Sequence, residues 1–103
     1  FAYLGFVSLH AVFIHANFAP RSPWLERWIA MPRYHHWHHA IEPVATDKNF
    51  AVHLPMIDRW FGTHYMPDQQ WPDGYGVAGL SLPDGYGKQF LSPLANPHRS
   101  DGN

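Results

Sequence analysis

The sequence contains no cysteine. That removes disulfide scaffolds, thiolate zinc fingers, iron–sulfur clusters and cysteine nucleophiles together. Charge is scarce as well. Asp, Glu, Lys and Arg make up 15% of the 103 residues, where globular chains carry about 25%. Seven basic and eight acidic residues leave a net charge of −1, so no basic stripe exists to hold phosphates and nucleic acid is not an expected partner. No segment is read as a flavin or nicotinamide site. What the chain does have is apolar and aromatic bulk, 46% hydrophobic and 17% aromatic, which is the opposite of a disordered composition. It also has nine histidines, four of them between positions 35 and 39. The chemistry such a chain can offer is imidazole chemistry.

Residues 1–19 form a mostly apolar run, with 14 apolar residues, one Gly and no Asp, Glu, Lys or Arg. A membrane-crossing helix needs about 20 such residues. The run has neither the basic start nor the small-residue cleavage site of a signal peptide. It is expected to be a membrane helix entered partway, stopped by Pro20, with a buried helix of a soluble protein as the alternative. Residues 20–31 read as a short amphipathic piece with Trp24, Trp28 and Ile29 on one face, suited to a membrane–water interface or to an ordinary protein surface. Residues 32–41 read as a helix that Pro32 starts and Glu42-Pro43 ends. Residues 50–66 are expected to hold one more short helix, broken by Pro55 and ended near Gly62. Pro-Asp-Gly-Tyr-Gly then occurs twice, at 72–76 and 83–87, and reads as two turns in a cytosolic tail. The expected organisation is therefore all-α, with a helical unit over 1–66 and a turn-rich tail over 67–103 that frays over 96–103.

Tyr34-His35-His36-Trp37-His38-His39 is the most informative stretch. At about 100° per residue, His38 and His39 fall about 60° to one side and about 40° to the other side of His35. Three imidazoles thus share one face, with His36 at its edge. Imidazole nitrogen suits iron, zinc, copper and nickel. The tract is internal, interrupted by Trp37 and bounded by Pro32 and Pro43, which is unlike an expression tag. A pH-sensing cluster and plain surface are the other readings. His15 adds a further candidate, because a polar side chain in a membrane segment is costly and points to function. His10 lies about 140° from His15 on a helix and is the weaker of the two. His53, His64 and His98 have no partner at helical spacing and read as surface or packing residues.

His15-Ala16-Asn17, the His35-x-x-His38-His39 box, Asn49-Phe50-Ala51 and Asp58-Arg59-Trp60-Phe61-Gly62-Thr63 succeed one another in that order. Together they resemble the fatty acid hydroxylase / sterol desaturase superfamily of membrane-bound histidine-box di-iron oxygenases. The resemblance runs from about residue 10 to 80, and Trp71 to Val77 is most similar to bacterial members. It implies a transmembrane helical bundle with a cytosolic histidine-bearing cap. It also implies ligand roles for His15, His35, His38 and His39, with His10 and His36 weaker candidates. Asn17 and Asn49 are implied as supports behind the ligands, with Phe50 beside Asn49. Asp58, Phe61, Gly62 and Thr63 are implied as a structural closing motif. The earlier histidine boxes of that superfamily do not occur after Phe1, so the chain resembles its C-terminal part.

The expected function is the metal-binding part of a lipid hydroxylase or desaturase acting on a sterol or fatty acid. Two iron ions and O₂ would be its cofactor and cosubstrate, and an external reductase or redox protein its electron donor. The bacterial inner membrane would be its location, with the histidines on the cytoplasmic side. Four well-placed ligands are too few for two irons, so this chain alone is expected to be inactive. Two alternatives stand beside this reading. One is a non-catalytic membrane-associated module holding zinc or nickel on the same cluster, and the other is an interaction fragment with vestigial histidines.

Overall fold

The computed structural model describes residues 1–18, 20–80 and 82–95. The fraying expected over 96–103, and His98 with it, lies outside those residues. Five α-helices occur in order among the described residues: α1 (Ala2–Ile14), α2 (Leu25–Trp28), α3 (Pro32–His38), α4 (Pro55–Phe61) and α5 (Tyr86–Ala95). A single 3₁₀ turn, Pro43–Ala45, lies between α3 and α4. No strand forms among the described residues, and an isolated antiparallel bridge joins Ala40 to Tyr75. The all-α expectation is met in that sense.

The element ends differ from the sequence reading, each for a local reason. α1 stops at Ile14 rather than running to Pro20. The Ala16 N–H closes back onto the Phe13 carbonyl at 3.0 Å, a tightened last turn that ends the helix. Thirteen residues rise about 20 Å, short of the roughly 30 Å of a bilayer core. No helix among the described residues is long and apolar enough to cross a membrane. α2 is four residues long, and Trp24 just before it and Trp28 at its end stay exposed. α3 ends at His38, three residues early, because Ala40 leaves the helix to pair with Tyr75. Pro55 begins α4 instead of breaking it, as a proline at a first-turn position does. Gly62 ends α4 at φ +75°, a conformation glycine adopts without cost. The second Pro-Asp-Gly-Tyr-Gly is not a free turn: its last two residues open α5, with the Gln89 N–H on the Gly85 carbonyl. Lys88, Gln89 and Leu91 are good helix formers, and they outweigh the turn chemistry that precedes them.

The core is small. Ile14, Ala30 and Tyr34 are fully buried together, with Phe13 and Met66 packed against them. Burying a side chain of this size contributes about 1.5–3 kcal/mol. This cluster clamps the end of α1 against α3. Each of its two larger members immediately precedes a histidine, His15 after Ile14 and His35 after Tyr34, so packing the core brings those imidazoles together.

Asp58 forms a second clamp. Its carboxylate accepts hydrogen bonds from the Tyr34 and Thr63 hydroxyls and from the backbone N–H groups of Phe50 and Ala51. Its own carbonyl caps α4 by accepting from the Thr63 and His64 N–H groups. Asp58 is buried, which pushes its pKa up, but the bonds from Thr63, Tyr34, Ala51 and Phe50 outweigh that and hold it below the ordinary carboxylate value. The same burial, with the Asp58 carboxylate beside it, drives the Tyr34 phenol well up. Asn49, fully buried at φ +56°, donates to the Tyr34 and Tyr65 carbonyls and accepts from the Tyr65 N–H. Asp58 and Asn49 therefore tie three separate chain segments to the foot of α3.

Candidate metal centre

His15, His35 and His39 converge. His35 Nε2 stands 3.1 Å from His15 Nε2 and 3.1 Å from His39 Nε2. One nitrogen from each of the three lies within 4.8 Å of the others. Two nitrogens bound to one ion at about 2.1 Å are themselves about 3.0–3.4 Å apart, for angles from a right angle to tetrahedral. The two 3.1 Å separations about His35 fit a shared cation.

A backbone carbonyl fixes the tautomer of His15. His15 Nδ1–H donates to the Ala11 carbonyl at 2.7 Å, so the neutral ring presents an unprotonated Nε2 to the group. His35 is buried, and its Nδ1 has no hydrogen-bond partner. Burial, and then the His39, His15, His38 and His36 rings around it, lowers its pKa to about 3. Partial burial and neighbouring histidines lower His39. Lone pairs that crowd together and resist protonation are what a metal ion requires of its ligands.

The other expected residues are placed differently. His38 shares the helical face, but its Nδ1–H donates to the Lys48 carbonyl at 3.0 Å and its exposed ring stands 5.7 Å from that of His35. It lies beside the three-nitrogen group, not in it. The Lys48 carbonyl comes from the loop after the 3₁₀ turn, which the helical wheel does not contain. His36 turns to the Tyr75 hydroxyl at 2.9 Å and meets Trp71 edge-on. His10 is committed elsewhere, with Nε2–H donating to the Ala30 carbonyl and Nδ1 2.9 Å from His53 Nδ1. Asn17 is exposed just past α1, and Asn49 braces α3 through the Tyr34 carbonyl. Phe50 is exposed, and so is Phe61. Of the closing motif, Asp58, Gly62 and Thr63 are the members engaged in the fold, while Phe61 and its neighbour Trp60 face outward.

The family model of fatty acid hydroxylase matches residues 1–63. The chain belongs to the fatty acid hydroxylase family. This is a family of oxidoreductases whose members are generally membrane-bound and typically iron-dependent, and its match takes in His15, His35 and His39. No curated protein and no solved structure matches the chain.

Sequence reasoning did not foresee Tyr75 or Tyr34 in the architecture, and its surface-or-packing reading of His53 did not include the contact with His10. Tyr34 had a signal, since it is an aromatic residue that adjoins the box. The other two meet their partners only through tertiary contact. Residues 74–79, Gly-Tyr-Gly-Val-Ala-Gly, also carry the glycine spacing of a dinucleotide loop. That loop must run from a strand into a helix, whereas here the Gly76 N–H is bonded to the His39 carbonyl and α5 begins ten residues later. The spacing lacks the strand-to-helix setting that a dinucleotide loop needs.

Proposed function

We propose that this chain forms the metal-holding part of an iron-dependent, O₂-using lipid hydroxylase or desaturase. The observation that carries the reading is the convergence of three imidazoles within the family-matched segment, with His35 Nε2 3.1 Å from both His15 Nε2 and His39 Nε2. Iron bound there would supply oxidation of an unactivated C–H bond by O₂. The chain's own residues hold and orient. The Ala11 carbonyl fixes the His15 tautomer, Tyr34 and Asp58 anchor the helix that carries His35, and burial keeps His35 neutral. A cavity of about 270 Å³ opens beside His15 and His39 and gives a substrate access to the centre. Electrons come from an external reductase or redox protein.

In this reading α1 is part of a membrane-embedded helix, consistent with its exposed Tyr3, Leu4, Leu9 and Val12. Trp24 and Trp28 lie near the interface, and the histidines face the cytoplasm of a bacterial cell. The second reading, a zinc- or nickel-holding module without turnover, draws on the same geometry, because three gathered ligands serve one ion and not two.

The test is metal stoichiometry together with reductase-supported lipid oxidation. It is made on the chain in detergent and on a chimera in which the chain replaces the corresponding region of an active family member. The chain alone should bind at most one iron and form no product. The chimera should bind iron and oxidise lipid, and lose both on His35→Ala. A folded chimera that holds zinc or nickel in preference to iron and oxidises nothing would replace the hydroxylase reading with the second one. Product from the chain alone would refute the ligand count.

A further inference from the structure

Residues 70–76 lie beyond the family-matched segment, yet they close one side of the metal centre. Trp37 Nε1–H donates to the Gln70 carbonyl at 3.1 Å. On either side of the Ala40–Tyr75 bridge, the Ile41 N–H donates to the Gly74 carbonyl and the Gly76 N–H to the His39 carbonyl, each at 3.1 Å. The Tyr75 hydroxyl reaches His36 Nδ1 at 2.9 Å. Tyr75 and Gly76 then line the cavity with His15, His36 and His39.

His39 is the member of the group least held by anything else. His15 is pinned through its Nδ1, and His35 is buried behind Tyr34. His39 instead comes just after the last residue of α3, at φ −90° and ψ 2°, with its ring exposed. Carbonyls at a helix C-terminus lack intrahelical partners, and the terminal turn frays unless donors arrive from elsewhere. The donor for the His39 carbonyl is Gly76. Gly76 sits at φ +133°, a backbone conformation that L side chains rarely adopt, so glycine is needed to aim that N–H at α3.

We propose that residues 70–76 are a strap that sets His39 as a metal ligand, with Gly76 as the positioning residue. The proposal rests on the metal-centre reading above. It predicts that the centre is completed by a segment outside the family-matched region.

The test is Co(II) titration of the full chain in detergent, read by affinity and by the visible d–d band, for the wild type, Gly76→Pro, His39→Ala and the double variant. Gly76→Pro removes the N–H and should weaken Co(II) binding about tenfold, the low end of the range for losing an outer support of a ligand and no more than the loss of His39 itself. Its band should shift toward that of His39→Ala, and the double variant should be no weaker than His39→Ala alone. Gly76→Ala keeps the N–H but strains the backbone. It should show a smaller loss in the same direction, and it keeps the test readable if the proline variant does not fold by circular dichroism. Wild-type affinity in a folded Gly76 variant would overturn the strap, as would an equal further loss on adding Gly76→Pro to His39→Ala. Co(II) binding that ignores His35→Ala would overturn the metal reading itself, and the strap with it.

Discussion

His10 lies within α1 and His15 caps its end, yet the two are used differently. Both nitrogens of His10 are spent on protein partners, the Ala30 carbonyl and His53, and its ring stacks on Phe6. The pair ties α1 to the segments before α3 and before α4. His15 spends one nitrogen on its own helix and brings the other to His35, where a third imidazole, His39, joins the pair. A histidine becomes a ligand candidate here when one of its nitrogens converges with those of two other histidines. It becomes a structural element when both nitrogens are spent outside such a group. Residue type and membership of one helix do not separate the two cases; the partners do.

Asp58 supports both groups, since it holds Tyr34 beside His35 and the Phe50–Ala51 backbone near His53. Asp58→Ala leaves several buried donors unpaired. It should cost about 3–5 kcal/mol of stability and dissolve both histidine groups together. Chemical denaturation in detergent, with Co(II) binding measured alongside, would show it. Retained Co(II) affinity after that loss would mean that the metal centre does not depend on this clamp.

The next effect separates the groups. His35→Ala should weaken metal binding by about 100-fold or more, beyond the range for outer supports. His10→Ala should leave affinity within about threefold while lowering stability by about 1–3 kcal/mol, because the Ala30 carbonyl and His53 lose their partner. Chelator competition and unfolding midpoints measured on both variants decide it. A shared loss of metal would erase the distinction between the pair and the cluster.

A pH series sharpens the same contrast. His35 titrates near the ordinary 6.5 in the unfolded chain and at about 3 in the fold. Between those values the unfolded chain binds the extra proton, so metal-free stability should fall as pH drops from 6.5 toward 3. His35→Gln should flatten that fall, as read from melting temperature against pH. An unchanged slope would show that His35 does not govern acid sensitivity.

The smallest effect lies within the box. His39→Ala should weaken Co(II) binding about tenfold and His38→Ala about threefold, since the Lys48 carbonyl holds His38 to one side. Equal losses would mean that His38 swings into the centre when metal arrives.

Much of the scaffold was legible because it rests on local rules. Pro32 starts α3, Gly62 ends α4, and histidines four apart on one turn bring His35 and His39 to one side. The Asp58 motif could be named from its sequence pattern, but its reach to Tyr34 and to the Phe50–Ala51 backbone could not, because those bonds cross chain segments. The wheel placed His38 with its neighbours, since a wheel contains no Lys48 carbonyl. Pro-Asp-Gly-Tyr-Gly read as the same turn twice. One copy instead docks on the end of α3 and the other opens α5. The first copy faces the open end of a helix, and the second runs into good helix formers, so identical residues end in different structures.

The sequence by itself determined the chemistry on offer: no thiol, few charges, and imidazoles at one-face spacing. It also determined the family, because the ordered motifs are specific. The tertiary structure alone decided which imidazoles are free. That depends on which carbonyl or hydroxyl meets each second nitrogen, and those partners come from Lys48, Ala30, His53 and Tyr75, distant in sequence from the rings they hold. Side-chain spacing along a helix is a property of the chain, whereas hydrogen-bond satisfaction is a property of the packed molecule.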